Sequence, residues 1–319
     1  MQPPSFWQPD GVLPRLQAPA ASIFAADTAH RKRIPGWQAP VPVICCGAAT
    51  VGGAGKTPLA LDLAARLKRR GVSVAFLSRG YGRRGGRAMQ VDPARHTAHA
   101  VGDEPLLLAA LAPTFVGANR ARSARLAVAY GATMLVMDDG LQNPGLVKTL
   151  SLLTIDGGAG FGNGRVMPAG PLREPAEATA RRCQAAVLIG PDRMGALDRL
   201  PARLPVLRAE LRPCPAPELN GHRVLAFAGI ARPEKFFDSV RQAGAELFGG
   251  RAFADHHPYS AAELDRLARD AAQAGAILLT TAKDAVRLPP AFAEKIAVLR
   301  VELVWEDAAA PDRLLAELA

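Results

Sequence analysis

Apolar residues along this chain cluster in short, nearly unbroken runs separated by stretches with helical spacing. Residues 41–46 (Val-Pro-Val-Ile-Cys-Cys) form such a run. It is too short for a helix and carries no charged residue, which predicts a strand buried on both faces. Residues 72–77, 114–117, 133–137, 150–155 and 185–189 repeat the pattern. Helical spacing fills the gaps, over residues 57–70, 104–112 and 119–130. Pro58 falls in the first turn of the first of these, where proline is tolerated. Strands that alternate with helices predict an α/β fold with a parallel sheet flanked by helices.

Residues 212–218 (Arg-Pro-Cys-Pro-Ala-Pro-Glu) read as a linker. The alternation restarts beyond them, with strands over 223–228 and 276–280 and helices near 233–242 and 260–273. A chain of 319 residues accommodates about two domains. The expected division is an N-terminal arm over 1–40, a core domain over 41–215 and a second, smaller α/β lobe over 216–319 that closes over a cleft. The arm carries Pro3, Pro4, Pro14, Pro19, Pro35 and Pro40 and is expected to be irregular, since Pro14 and Pro19 interrupt any long helix. It also carries Phe6, Trp7, Leu13, Leu16, Ile23 and Phe24. These either pack on the core or dip into a membrane surface. No run of 18 apolar residues predicts a membrane-spanning helix, and no signal peptide opens the chain.

Composition changes this picture in two places. Hydrophobic residues make up 49% and charged residues 21%, which excludes a disordered chain. The net charge is +10, and basicity is concentrated between Arg66 and Arg95, where nine basic residues face one acid, Asp92. That excess predicts an anionic partner. Cys45, Cys46, Cys183 and Cys214 form no C-x-x-C pair and read as buried, reduced thiols.

The chemistry starts at Thr50-Val-Gly-Gly-Ala-Gly-Lys-Thr57, between the first strand and the first helix. It matches the phosphate-binding P-loop at Gly55, Lys56 and Thr57, with Thr50 where the first glycine is expected. Gly52, Gly53 and Gly55 let the backbone N–H groups wrap phosphate oxygens at a helix N-terminus. Lys56 would bridge the β- and γ-phosphates, and the Thr57 hydroxyl would bind Mg²⁺. The strand over 133–137 ends in Asp138 and Asp139, which supplies the metal-side carboxylate such loops need.

A P-loop leaves the phosphate's destination open. A dimeric partner-switching ATPase would carry a lysine where Val51 stands, and a P-loop NTPase that switches partner binding, such as a metallochaperone GTPase, is the alternative from another class. A guanine-reading element would separate Lys from Asp, whereas Lys283 and Asp284 are adjacent. Nucleic-acid binding would interleave aromatics with the arginines, and only Phe76 and Tyr81 lie near them. A small-molecule kinase needs a second anionic or hydroxyl site facing the loop, which the basic run and second lobe favour. Asp103 and Glu104 open a helix, and Asp103 is either an N-cap or a carboxylate that takes an acceptor's proton. Asp255-His256-His257 lies in the second lobe, and lobe closure could bring a histidine onto Asp103. His96 and His99 have H-x-x-H spacing, but no consistent zinc ligand set accompanies them.

Taken in order, residues 50–58, Ser78-Arg-Gly-Tyr-Gly82, Gly102-Asp-Glu-Pro105, Asp138-Asp-Gly-Leu-Gln142, Pro168-Ala-Gly-Pro-Leu-Arg-Glu174, Ala228-Gly-Ile-Ala-Arg-Pro233, Asp255-His-His257 and Lys283-Asp284 resemble the tetraacyldisaccharide 4′-kinase family, the lipid A 4′-kinases. The resemblance implies a P-loop NTPase-like core and transfer of the ATP γ-phosphate to the 4′-hydroxyl of a tetraacyl glucosamine disaccharide 1-phosphate. It implies ATP and Mg²⁺ as cofactors and peripheral attachment at the cytoplasmic face of the inner membrane. Thr50, Val51, Gly52, Gly53, Ala54, Gly55, Lys56 and Thr57 would cradle the triphosphate. Thr57, Asp138, Asp139 and Glu104 would serve the metal, Asp103 would be the base and His256 its partner. Arg79, Tyr81, Arg120, Arg173 and Glu174 would face the anionic, acylated substrate. No nucleic acid is expected, and nothing demands a partner subunit, so a monomer is expected. The chain departs from the family pattern at Asn143, where histidine is usual, and at Ala282, where an acid often precedes Lys283.

Overall fold

The structure, a computed structural model, describes Pro4, Trp7 and residues 11–31, 36–83 and 85–318. Pro3, Phe6, Pro35 and Arg84 lie outside the described residues. In chain order the strands are β1 (Val43–Gly47), β2 (Val74–Ser78), β3 (Met89–Gln90), β4 (Thr114–Val116), β5 (Met134–Asp138), β6 (Leu150–Asp156), β7 (Ala185–Ile189), β8 (Val206–Pro213), β9 (Arg223–Ala228), β10 (Glu246–Ala252), β11 (Ile277–Thr281), β12 (Ala297–Leu299) and β13 (Val301–Trp305). They form a nine-stranded sheet in the order β13-β8-β7-β6-β1-β5-β2-β4-β3 and a four-stranded sheet in the order β10-β9-β11-β12. Six consecutive pairings in the large sheet, from β8 to β4, are parallel, and only the edge pairs β13–β8 and β3–β4 are antiparallel.

The continuous apolar runs are central parallel strands for the expected reason. All five residues of β1 are buried. Ile44 and Cys46 pack toward the helix Lys56–Arg69 through Leu59, Leu63 and Leu67. Val43 and Cys45 face the opposite layer, where Ala124 and Ala127 of the helix Arg120–Ala129 lie. Burial pushes the Cys45 thiol up to about 12, so it behaves as a small apolar side chain. The small sheet repeats the arrangement. Val224, Ala226 and Ala228 of β9 meet Phe236, Phe237 and Val240 of the helix Pro233–Gln242. Leu225 and Phe227 meet Leu264 and Leu267 of the helix Ala261–Gln273, which opens on a Ser260–Glu263 capping box.

Two expectations change. The second lobe was drawn to the end of the chain, but β13 returns to the large sheet and pairs with β8. The helix Ala310–Ala316 then packs on the helix Lys56–Arg69, burying Leu315. Trp305 Nε1 donates to Asp62 Oδ2 at 2.9 Å, and Arg66 and Arg70 pair with Asp312 at 2.7 and 2.6 Å. Part of the basic run is therefore neutralised within the fold. The described part of the N-terminal arm is not irregular either. It holds the helices Val12–Leu16 and Ala18–Arg31. Pro14 and Pro19 each sit in a first turn, where no backbone N–H is missed, so they separate two helices rather than abolish them.

The lobes also meet through ions. Asp156, at the carboxyl end of β6, is buried, and its Oδ2 accepts from Arg232 at 2.6 Å and from Lys235 at 2.7 Å, both in the second lobe. Both cations remain partly exposed, so water screens the pairs and they contribute on the order of 1 kcal/mol. Asp156→Ala is expected to leave both lobes folded but raise the radius of gyration in small-angle scattering. An unchanged scattering curve would show that other contacts alone hold the lobes together.

Candidate active site

The parallel strands place their functional residues at one carboxyl edge. β1 runs into the P-loop, whose last turn Gly55 makes with φ 84° as N-cap of the helix Lys56–Arg69. A Cβ there would lie 2.4 Å from Ile189 Cδ1 as well as being strained, so only glycine fits. The loop is clamped from outside. Val51 N donates to Pro171 O at 2.9 Å, Arg173 N donates to Ala49 O at 2.7 Å, and Thr50 bridges Leu172. This is the physical job of the Pro-Leu-Arg segment noted in the sequence. Lys56 Nζ donates to Gly52 O at 3.1 Å and lies 4.0 Å from Asp139 Oδ2.

β5 delivers Asp138 and Asp139 beside the loop. The Thr57 hydroxyl donates to Asp138 Oδ2 at 3.0 Å. Asp138 Oδ1 is buried with no hydrogen-bond partner among the described residues. Burial, and then the neighbouring Asp139, push the Asp138 carboxyl up to about 7. Burial would raise Asp139 as well, but Lys56 and Arg173 outweigh it and hold Asp139 below the usual carboxylate range. Arg173 grips both Asp139 oxygens, at 2.7 and 2.9 Å. Asp139 takes φ 55°, a left-handed conformation that aspartate tolerates better than most residues.

The second lobe brings His256 onto Asp103. Asp103 is the first residue of the helix Asp103–Ala109, which Gly102 caps, so its carboxylate is not the N-cap group. His256 Nδ1 lies 2.8 Å from Asp103 Oδ2. His256 itself is held at φ 59°, its N–H donating to Gly229 O at 3.0 Å. Tyr81 covers it, with ring centroids 5.6 Å apart. Lys283 Nζ lies 3.3 Å from His256 Nε2 and 2.9 Å from Glu104 Oε1. Burial lowers the Lys283 ammonium, but Glu104 and Asp255 outweigh it and keep it charged. A charged lysine can only donate, so Nε2 is the acceptor and Nδ1–H is the donor to Asp103.

The remaining expected residues are spread more widely. Glu104 pairs with Lys283 at 2.9 Å and lies near enough to Asp138 for its charge to help raise that carboxyl. Arg79 and Tyr81 are exposed at the end of β2. Arg120 is 3% exposed, donates to Gly117 O, and has an Nε buried without a partner. Burial lowers its guanidinium to about 10, against the pull of Asp139. Glu174 is buried behind the P-loop clamp, accepting from Gln142 at 3.0 Å and Arg182 at 2.7 Å. Its carboxylate holds protein groups there, not the open cleft. The sequence reading missed Lys283 as a histidine partner, along with Tyr259 and Arg287. Arg287 lies four residues after Lys283 on helical spacing, but one arginine in an arginine-rich chain carries no signal of its own.

A nucleoside-triphosphate loop, a carboxylate pair at the neighbouring strand end and a histidine–carboxylate pair supplied by a closing lobe define a P-loop phosphotransferase. Comparison with known proteins sharpens this. A model of the tetraacyldisaccharide-1-P 4′-kinase family matches residues 13–319. The tetraacyldisaccharide 4′-kinase of Gluconacetobacter diazotrophicus is 57% identical over 318 residues, covering 99% of this chain and 97% of that protein. That of Rhodospirillum centenum is 52% identical over 328 residues, covering 100% and 97%. The crystal structure of Aquifex aeolicus LpxK in complex with ATP shares the fold, with a TM-score of 0.77 at 24% identity over 96% of this chain and 99% of that one. The chain belongs to the tetraacyldisaccharide-1-P 4′-kinase family.

Proposed function

We propose that this lipid kinase transfers the γ-phosphate of ATP to the 4′-hydroxyl of a tetraacyl glucosamine disaccharide 1-phosphate, a step of lipid A biosynthesis, and that Asp103 takes the hydroxyl proton. The observation that carries the mechanism is the 2.8 Å contact of His256 with Asp103, made between the two lobes at the edge that holds the P-loop. An alcohol is a weak nucleophile, but phosphoryl transfer is loose and depends mainly on alignment and charge neutralisation. The P-loop amides, Lys56 and Thr57 bind and orient the triphosphate. The acceptor oxygen forms its bond to the γ-phosphorus as the bond to the β–γ bridging oxygen breaks, and the proton passes to Asp103. His256 Nδ1–H holds that carboxylate in place. Arg173 holds Asp139 against Lys56, and Arg120 and the exposed Arg79 and Tyr81 supply the anionic acceptor's surroundings.

The residues fit Mg²⁺. The Thr57 hydroxyl and the two aspartates offer hard oxygens, and Asp138 Oδ1 has no hydrogen-bond partner among the described residues. When bound, the ion would neutralise the triphosphate charge.

No helix among the described residues is long and apolar enough to cross a membrane. The N-terminal helices do expose Val12, Leu13, Leu16 and Ile23, a surface suited to peripheral docking on the inner membrane where an acylated substrate resides. The partner-switching NTPase reading finds no support in the family or the relatives, which are kinases.

Labelled ATP with Mg²⁺ and the acylated acceptor in mixed micelles is expected to give a labelled bisphosphorylated lipid. Phosphate release without labelled lipid would overturn the kinase reading. Lys56→Ala is expected to lower kcat/KM for ATP about 100-fold, the scale of one lost charge-assisted contact. Wild-type efficiency in that variant would remove Lys56 from the triphosphate site. The double substitution Leu16→Glu with Ile23→Glu is expected to reduce co-sedimentation with anionic vesicles, and undiminished sedimentation would exclude the N-terminal helices as the docking surface.

A further inference from the structure

Arg287 is the residue on which the closed site converges, although no motif marks it. Its side chain is 6% exposed and lies in the second lobe. One guanidinium nitrogen donates to His257 O at 3.1 Å, and another donates to Gly229 O at 2.9 Å and to Asp284 Oδ1. The third, Nε, donates to Lys283 O at 3.4 Å and forms an ion pair across the lobes with Asp103 Oδ2, 3.3 Å away. The Gly229 carbonyl is the same one that receives the His256 N–H. One planar group therefore reaches the loop on both sides of His256 and the carboxylate that His256 addresses.

The group is itself rigidly seated. Asp284 is fully buried, and its Oδ1 also accepts from Gly229 N at 2.9 Å and from the Tyr259 hydroxyl at 2.7 Å. The Arg287 guanidinium lies over the Tyr259 ring, 5.6 Å from its centroid. Gly229 has no room for a side chain, since a Cβ would sit 2.9 Å from the Tyr259 hydroxyl and 3.1 Å from Asp284 Oδ1. Both Arg287 and His256 address Oδ2 of Asp103, so Oδ1 is left without a partner among the described residues.

We propose that Arg287 is a positioning residue for phosphoryl transfer: it locks the His256 loop to Asp103 Oδ2 so that Oδ1 alone receives the acceptor's proton. This rests on the reading of Asp103 as the proton acceptor. The polar contacts of Arg287 run to Lys283, His257, Gly229, Asp284 and Asp103, so its effect passes through the Asp103–His256 pair. Lysine keeps the charge but not the fork, and so restores only part of the arrangement.

The test is a kinetic cycle on the full-length enzyme, with labelled lipid formation as the readout. Arg287→Met and Arg287→Lys are each made in the wild-type and the His256→Ala backgrounds. Arg287→Met is expected to lower kcat about 10- to 100-fold, as for a charge-assisted contact, with KM for ATP within about twofold. Arg287→Lys is expected to recover only part of that loss, leaving a deficit of several-fold. With His256 already removed, Arg287→Met should cost less than about threefold more, because the two act as a unit. A merely structural role would give the same loss in both backgrounds, or a raised KM for ATP, and either result overturns the proposal. So does wild-type kcat in Arg287→Met. If thermal melting shows Arg287→Met to be unfolded, the Lys cycle decides by the same criterion, with a loss that depends on His256 expected. Absence of labelled lipid from the wild-type enzyme would instead indict the kinase reading.

Discussion

The rest of the structure is arranged around one contact between an imidazole and a carboxylate in different lobes, His256 on Asp103. Each partner comes from a carboxyl-edge segment of its own parallel sheet, and neither lobe alone holds a base and its orienting group. The contact is costly to build. It gathers Asp103, Glu104, Asp255 and Asp284 around Lys283, His256 and Arg287, in places where water is largely excluded. A buried carboxylate without a cation would be strongly destabilising. The second lobe therefore supplies cations where the first supplies acids, and the same charge pattern recurs where Arg232 and Lys235 meet Asp156.

The P-loop half of the site obeys the same rule at shorter range. Asp138 and Asp139 are adjacent and buried, and two like charges there cannot both be comfortable. The fold splits them. Arg173 and Lys56 stabilise Asp139 as an anion, while Asp138 is pushed up and keeps one oxygen unpaired. The arginine that settles this arrives on the segment whose backbone clamps the P-loop at Ala49 and Val51. Loop shape and carboxylate charge are thus set by one stretch of chain.

The central strands, the P-loop and the two aspartates at the end of β5 were legible in the sequence, because buried parallel strands read as unbroken apolar runs and the loop needs glycines at fixed spacing. The edges were not. β8 buries only one of its eight residues and β13 only two of its five, and they carry Arg208, Glu210, Arg212 and Glu302, so they present no apolar run. That is why residues 301–318 read as part of the second lobe. Pro14 and Pro19 read as helix breakers because their positions within a first turn depend on where each helix starts. Asp103 and His256 were legible as separate motifs. Lys283 was seen as half of a failed guanine-reading element and as part of a family motif with no role assigned, and Arg287 not at all, because their meaning lies in distances between lobes. The basic run from Arg66 to Arg95 suggested an external anion, yet Arg66 and Arg70 spend their charge on Asp312.

The most direct test of this account is whether Asp103 and His256 act as one unit in the chemical step. Single-turnover rates of phosphoryl transfer would be measured at saturating ATP for Asp103→Asn, His256→Gln and the double variant. The account predicts that the double variant is no slower than about threefold below the slower single variant, because removing either member already disables the pair. Losses that multiply would contradict it, and would mean that the two residues act on the reaction independently despite their contact.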